Sequence, residues 1–158
     1  MGLRMTMRFP GFDPKPDAPR GPVRSADDDR ILRFLVITAD EEFYLKLRQI
    51  ALSCQWKIAR AVSIGEAEIL IRNEPVPLVV YESDSGTGDW QSGLRRLNEL
   101  SRHPCVLLAS AVSDDNLLRE VVRNHGYDIL PKSAPPENVI RCLNFAWFWA
   151  LAWGRGRP

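Results

Sequence analysis

The residues of this chain that could do chemistry are few, and most stand at the ends of apolar runs. Residues 79–90 read VVYESDSGTGDW: two valines and a tyrosine lead straight into Glu82, and an acidic, glycine-containing loop with Asp84 and Asp89 follows. RFLVIT at 33–38 ends on Thr38, then Ala39, and gives way to Asp40, Glu41 and Glu42. CVLLAS at 105–110 ends on Ser110, and the short run YDIL at 127–130 is followed by Pro131 and Lys132. Carboxylates and a hydroxyl at one place could ligate a hard divalent cation through oxygen. A carboxylate beside an ammonium could instead form a lasting ion pair. Other chemistries find less support. His103 and His125 have no visible dyad partner, and Cys54, Cys105 and Cys142 lack the CxxC spacing of a zinc site.

The elements that must position these residues can be read from pattern. RFLVIT is a continuous, β-branched run of strand length, as expected of a strand covered on both faces. Asp40, Glu41 and Glu42 then suit a helix N-terminus, with Phe43, Leu47, Ile50 and Ala51 at helical spacing. KIARAV at 57–62 is a second strand. Ser63 with Glu66 makes a capping box for a helix whose apolar face is Ala67, Leu70 and Ile71. Pro75 and Pro77 precede the third strand, LVVY. Asp89 caps a helix over 90–100 that carries Leu94, Leu97 and Leu100. CVLLAS is the fourth strand. Ser113 caps the next helix, which carries Leu117, Leu118, Val121 and Val122, and Gly126 closes it at a C′ position. YDIL is the fifth strand, and Pro135 and Pro136 start a last helix ending near Trp153.

Strands alternating with helices predict an α/β fold: a doubly wound, five-stranded parallel sheet with right-handed crossovers. In such sheets the ligand site lies beyond the carboxyl ends of the strands, where the strand order switches. Thr38, Ala39, Asp40, Glu82, Asp84, Ser110 and Lys132 are therefore the residues to watch.

Composition narrows the function classes. The 158 residues are 45% apolar and 26% charged, with a net charge of +1, so no basic field marks a nucleic-acid partner. Three unpaired cysteines in apolar contexts predict reduced thiols and a cytoplasmic protein. Arg4 and Arg8 lead into FPGFDPKPDAPRGP rather than an apolar signal segment. Five of the twelve prolines lie between Pro10 and Pro22, so residues 1–30 are expected to be a flexible tail, 31–153 the folded domain and 154–158 a flexible end. The lack of a glycine-rich first loop, or of a nucleophile with an adjacent base, disfavours a nucleotide binder or small enzyme.

PLVVYE, then VLLASA, then DILPKSAPPENV together resemble the receiver domain of two-component response regulators, over about residues 32–148. The resemblance implies a phosphoacceptor position at Glu82, where the family has aspartate. It places the family's hydroxyl residue at Ser110 and its lysine at Lys132. The magnesium-binding acidic pair of the family falls on Thr38 and Ala39, with Asp40 one residue late. Thr38 and Ala39 cannot supply carboxylates to magnesium, and the Asp40 side chain is expected to point elsewhere. Glutamate at 82 carries its carboxylate one methylene further out, and misplacement of about an ångström costs roughly 100-fold in rate. The resemblance thus implies a degenerate receiver in which Glu82 pairs permanently with Lys132, Ser110 close enough to join. No metal or cofactor is expected. The alternative is a phosphorylatable receiver, with Glu82 or Asp84 taking phosphate from a histidine kinase and Asp40 and Glu41 holding magnesium.

The last helix, VIRCLNFAWFWALAW at 139–153, is apolar around too much of its circumference for one buried stripe. Val139, Ile140, Leu143, Trp147 and Leu151 are expected to face the sheet. Phe145, Phe148, Trp149 and Trp153 are then left for a partner surface. The run is too short to span a membrane. The reading is a stand-alone, non-enzymatic response regulator. It would act by protein contact with a histidine kinase or other signalling protein, or as a homodimer through the last helices.

Overall fold

The computed structural model describes residues 31–74, 76–83, 89–100 and 103–156, the side chains of 153–156 excepted. Ten elements alternate: β1 Arg33–Ile37, α1 Glu41–Cys54, β2 Lys57–Ala61, α2 Ile64–Asn73, β3 Leu78–Glu82, α3 Trp90–Asn98, β4 Cys105–Ser110, α4 Asp115–Arg123, β5 Asp128–Pro131 and α5 Pro136–Gly156. The strands form one parallel sheet in the order β2-β1-β3-β4-β5. The chain runs outward from β1 to β2, returns to β3 and then proceeds to β4 and β5. The switch point therefore lies between β1 and β3.

Alternation along each strand splits the core in two. Phe34, Val36, Leu78, Val80, Leu107 and Leu130 face one side, where α1 brings Phe43, Leu47 and Ile50 and α5 brings Val139, Leu143 and Trp147. Leu35, Ile37, Val79, Tyr81, Val106 and Leu108 face the other, against Leu70 of α2, Leu94 and Leu97 of α3 and Val121 of α4. With both faces covered, the central strands are apolar through their middles, as sheets of this kind require, and polar only at their ends, at Arg33, Glu82 and Ser110.

The helix ends follow local chemistry, with some differences from the sequence expectation. Asp40 caps α1, accepting from the Glu42 and Phe43 amides. Ser63 caps α2, while Glu66 reaches back to the Val62 amide rather than to Ser63 itself. The cap of α4 is Asp114, not Ser113, because its carboxylate is the acceptor placed at the Leu117 amide. The left-handed residue closing α4 is His125, with φ 71°, one place before Gly126. The two amides after Asn124 return to the carbonyls of Val122 and Val121, the Schellman pattern. Glycine at 126 is required by space instead: a Cβ there would stand 2.5 Å from Val121 Cγ1.

Of the four apolar residues that α4 carries, Val121 is buried and Leu117 packs partly against the core. Val122 is largely exposed, because α4 contacts the sheet along a narrow line near β5. α5 continues past the expected end at Trp153 to Gly156. The expected tail at 1–30 lies outside the described residues.

Candidate functional site

Sheet register brings the strand-end residues together. Ile37 pairs with Tyr81, so Thr38 and Glu82, the next residue of each strand, emerge side by side at the switch point. Glu82 in turn pairs with Ala109, and Ser110 with Pro131, which places Lys132 just past the end of β5. The Lys132 amide donates to the Ser110 carbonyl at 2.9 Å and continues the ladder one residue further.

The side chains close into a ring. The Lys132 ammonium donates to Glu82 Oε2 and, at 3.0 Å, to Asp40 Oδ2. The Thr38 hydroxyl donates to the other Glu82 oxygen, Oε1, at 2.5 Å and accepts the Asp40 amide at 2.9 Å. Asp40 completes the circuit: Oδ1 caps α1 while Oδ2 faces Lys132. Below the ammonium lies the Phe43 ring, its centroid 5.3 Å away, a cation–π contact.

Glu82 is 2% exposed, so its carboxylate is almost wholly removed from water and depends on these partners. Burial pulls the Lys132 ammonium down, but the hydrogen bonds to Glu82 and Asp40 outweigh it, and it sits above its ordinary value. The hydrogen bond from Lys132, then that from the Phe43 amide, holds Asp40 below the usual carboxylate range.

Two residues take roles at the site that the sequence pattern did not give them. Thr38 stood in the sequence reading as a failed metal ligand, yet it is the hydrogen-bond partner of Glu82; the only signal was a hydroxyl at a strand end. Lys46 of α1 donates to the carbonyls of Lys132 at 2.6 Å and Ala134 at 2.7 Å. Its signal was a charge at the margin of an otherwise apolar stripe, three residues after Phe43.

Two expectations change. Asp40 does not point away, because the capping geometry leaves its second oxygen free to face the pocket. The Ser110 hydroxyl does not join the ion pair; it accepts the Val112 amide at 3.1 Å, a local turn contact. Ala39 contributes no side-chain oxygen, and Glu41 is drawn outward to Arg60 at 2.7 Å, with the Arg60 guanidinium over Tyr44. Asp84 lies outside the described residues.

Magnesium does not fit the groups that are described. Both oxygens of Glu82 and both of Asp40 already have donors, and the cation that satisfies them is an ammonium on a tether. A divalent ion at the same place would have to displace Lys132 and then sit against its charge. Among the described residues no three His, Cys, Asp or Glu side chains gather as a metal-binding group.

A second feature lies on α5. Val139, Leu143, Ala146, Trp147 and Ala150 are buried, and Ile140 and Leu151 pack partly against them. Phe145 and Phe148 point the other way, 62% and 67% exposed, with Arg141 on the same stripe. Trp149 leans on Tyr127, ring centroids 5.2 Å apart, and is 38% exposed. The Trp153 side chain lies outside the described set. Among the described residues no helix is long and apolar enough to cross a membrane.

No family model and no curated protein matches the sequence. Solved structures do resemble it. A response regulator from Thermotoga maritima superposes with a TM-score of 0.67 at 18% identity, over 74% of this chain and 98% of that one. The chemotaxis protein CheY4 of Vibrio cholerae gives 0.68 at 10% identity, over 73% and 98%. A CheY-like receiver domain protein from Methanospirillum hungatei gives 0.68 at 13% identity, over 77% and 98%. The strand order, the alternation and these likenesses agree: the chain has the flavodoxin-like fold of response-regulator receiver domains, with an internal ion pair between Lys132 and Glu82 at its switch point.

Proposed function

We propose that this chain is a receiver-like module of two-component or phosphorelay-type signalling that acts through protein contact. In this reading it is not an enzyme and does not turn on phosphorylation at residue 82. The observation that carries the reading is the Lys132 ammonium seated between Glu82 and Asp40. An aspartyl phosphate would gather positive charge around a new negative group at the end of β3. Here a carboxylate already stands there, buried, with both oxygens bonded. Attack on phosphorus needs a free, correctly placed oxygen. Glu82 is not free, its carboxylate stands one methylene beyond the family's aspartate, and among the described residues no three His, Cys, Asp or Glu side chains gather to hold a metal ion beside an incoming phosphoryl group. The carboxylate fills the electrostatic role that phosphate plays only transiently in a switching receiver.

The contact surface in this reading is the outer face of α5, where Phe145, Phe148 and Trp149 expose more aromatic area than a solvated helix needs. It would engage a signalling partner such as a histidine kinase, or a second copy of the chain.

The test is incubation with acetyl phosphate and magnesium, followed by intact-mass measurement, beside titration calorimetry with magnesium alone. The expected result is no adduct and no tight stoichiometric uptake. A phosphate adduct lost on Glu82→Ala or Asp84→Ala would overturn the reading in favour of a working receiver.

A further inference from the structure

Lys46 reaches the backbone that carries the Lys132 ammonium. Its side chain leaves α1 at the edge of the buried stripe, beside Phe43 and Leu47, and crosses to the segment between β5 and α5. There it ties two carbonyls, those of Lys132 and Ala134, at 2.6 and 2.7 Å. The Ala134 amide meanwhile closes a turn onto the Pro131 carbonyl at 3.1 Å. Lys132 is thus held at both ends: its backbone by Lys46, its ammonium by Glu82 and by Asp40, the cap of the same α1. An ammonium bonded to carbonyl oxygens makes charge-assisted hydrogen bonds, stronger than neutral ones. A long, freely rotating lysine side chain loses up to about 2 kcal/mol of rotamer entropy on being fixed. Anchoring the Lys132 backbone carbonyl from α1 fixes the point from which that side chain starts, so the ammonium has a shorter range of positions to search for Glu82.

We infer that Lys46 is a positioning residue: by anchoring the β5–α5 segment to α1, it keeps the Lys132 ammonium on Glu82 and makes the ion pair a standing feature of the fold. The inference rests on the functional reading above and deepens it, since it names what keeps the pocket in one state. It binds α1 and the start of α5 into one unit that moves together or not at all.

The experiment is nitrogen-15 NMR of the lysine ammonium groups in the wild type, Lys46→Met and Lys46→Arg. In the wild type the Lys132 ammonium should be visible and slow to exchange its protons. Lys46→Met keeps the apolar stem and removes the donors, and the Lys132 protons should then exchange about tenfold faster or more, the scale set by losing charge-assisted hydrogen bonds. Lys46→Arg restores donors and should recover most of the protection. General loosening of the fold would not be repaired by a change of cation type. A folded Lys46→Met protein with Lys132 exchange unchanged overturns the inference and leaves the functional reading standing. A wild-type Lys132 that exchanges like a free lysine shows the ion pair itself absent, and the functional reading fails instead. Should Lys46→Met not fold, Lys46→Gln, which keeps a single amide donor, replaces it: intermediate protection supports the inference, and full protection overturns it.

Discussion

At the scale of single residues, the pocket is a balance between desolvation and pairing. Glu82 is buried and its cation is partly buried, with 20% of the Lys132 side chain exposed. Removing one member of such a pair strands the other, which costs about 3–5 kcal/mol, whereas replacing both by apolar groups is often neutral. Lys132→Met should therefore destabilise by about that amount in urea denaturation, and Glu82→Leu with Lys132→Met together should recover most of it. A double variant no more stable than the single one would show that the two side chains are not coupled. Thr38→Val, which removes the donor to Glu82 Oε1 at nearly constant shape, should cost about 1–3 kcal/mol.

Acid and alkali act on different members of the ring. Lys132 titrates above its ordinary 10.5, so its contribution to stability is complete below that value and is lost as pH rises through the raised one. Asp40 titrates below its ordinary 3.8, so its contribution is complete above that value and is lost as pH falls through the lowered one. Burial lowers Lys46, which works in the opposite sense: charging it in the fold carries a cost that fades as pH rises. Melting temperature should accordingly hold across neutral pH and fall at the alkaline end. That fall should be smaller in Lys132→Met, and an identical alkaline fall in the variant would show that Lys132 is not its source.

At the scale of elements, placement depends on close approach as much as on propensity. α3 comes so near the sheet that a Cβ at Gly93 would lie 2.3 Å from Tyr81 Oη and 2.8 Å from Cζ. Tyr81 is buried at the step before Glu82 and has little room to give way. Alanine would gain roughly 1 kcal/mol in helix propensity, against an overpacking cost of about 1–3 kcal/mol. Gly93→Ala should therefore be net destabilising by up to about 2 kcal/mol, read from the melting temperature. Tyr81→Phe in the same protein should relieve it only in part, since Cζ remains. A stabilised Gly93→Ala protein would mean that α3 rides higher on the sheet.

For the whole molecule, the question is where it meets others. At the switch point the polar side chains bond to one another, while the outer stripe of α5 carries Phe145 and Phe148 in the open. Their replacement touches nothing in the core, so Phe148→Glu should change stability by no more than about 0.5 kcal/mol. If that stripe is the contact surface, the same substitution should abolish association seen by gel filtration with light scattering, or binding to a captured partner. An unchanged association with unchanged stability would move the contact elsewhere.

The sequence by itself determined the layout. Apolar runs of strand length alternating with amphipathic helices admit little besides a doubly wound sheet, and that sheet places Glu82, Lys132 and Thr38 at one end, because parallel strands all finish on the same side. It also marked Phe145 and Phe148 as surplus to one buried stripe. The cap was legible at Ser63, where Glu66 completed a recognisable pattern; Asp40 could be read only as one of three acids at a helix start, and the turn where Ser113 and Asp114 competed was misassigned. Only the tertiary structure decided which strand-end groups touch. Thr38 meets Glu82 through register between strands 44 residues apart in sequence, and Lys46 meets Lys132 and Ala134 across 86 and 88. Local periodicity says which face a residue occupies; the distance at which two such faces close on each other is set by the packing of the whole core.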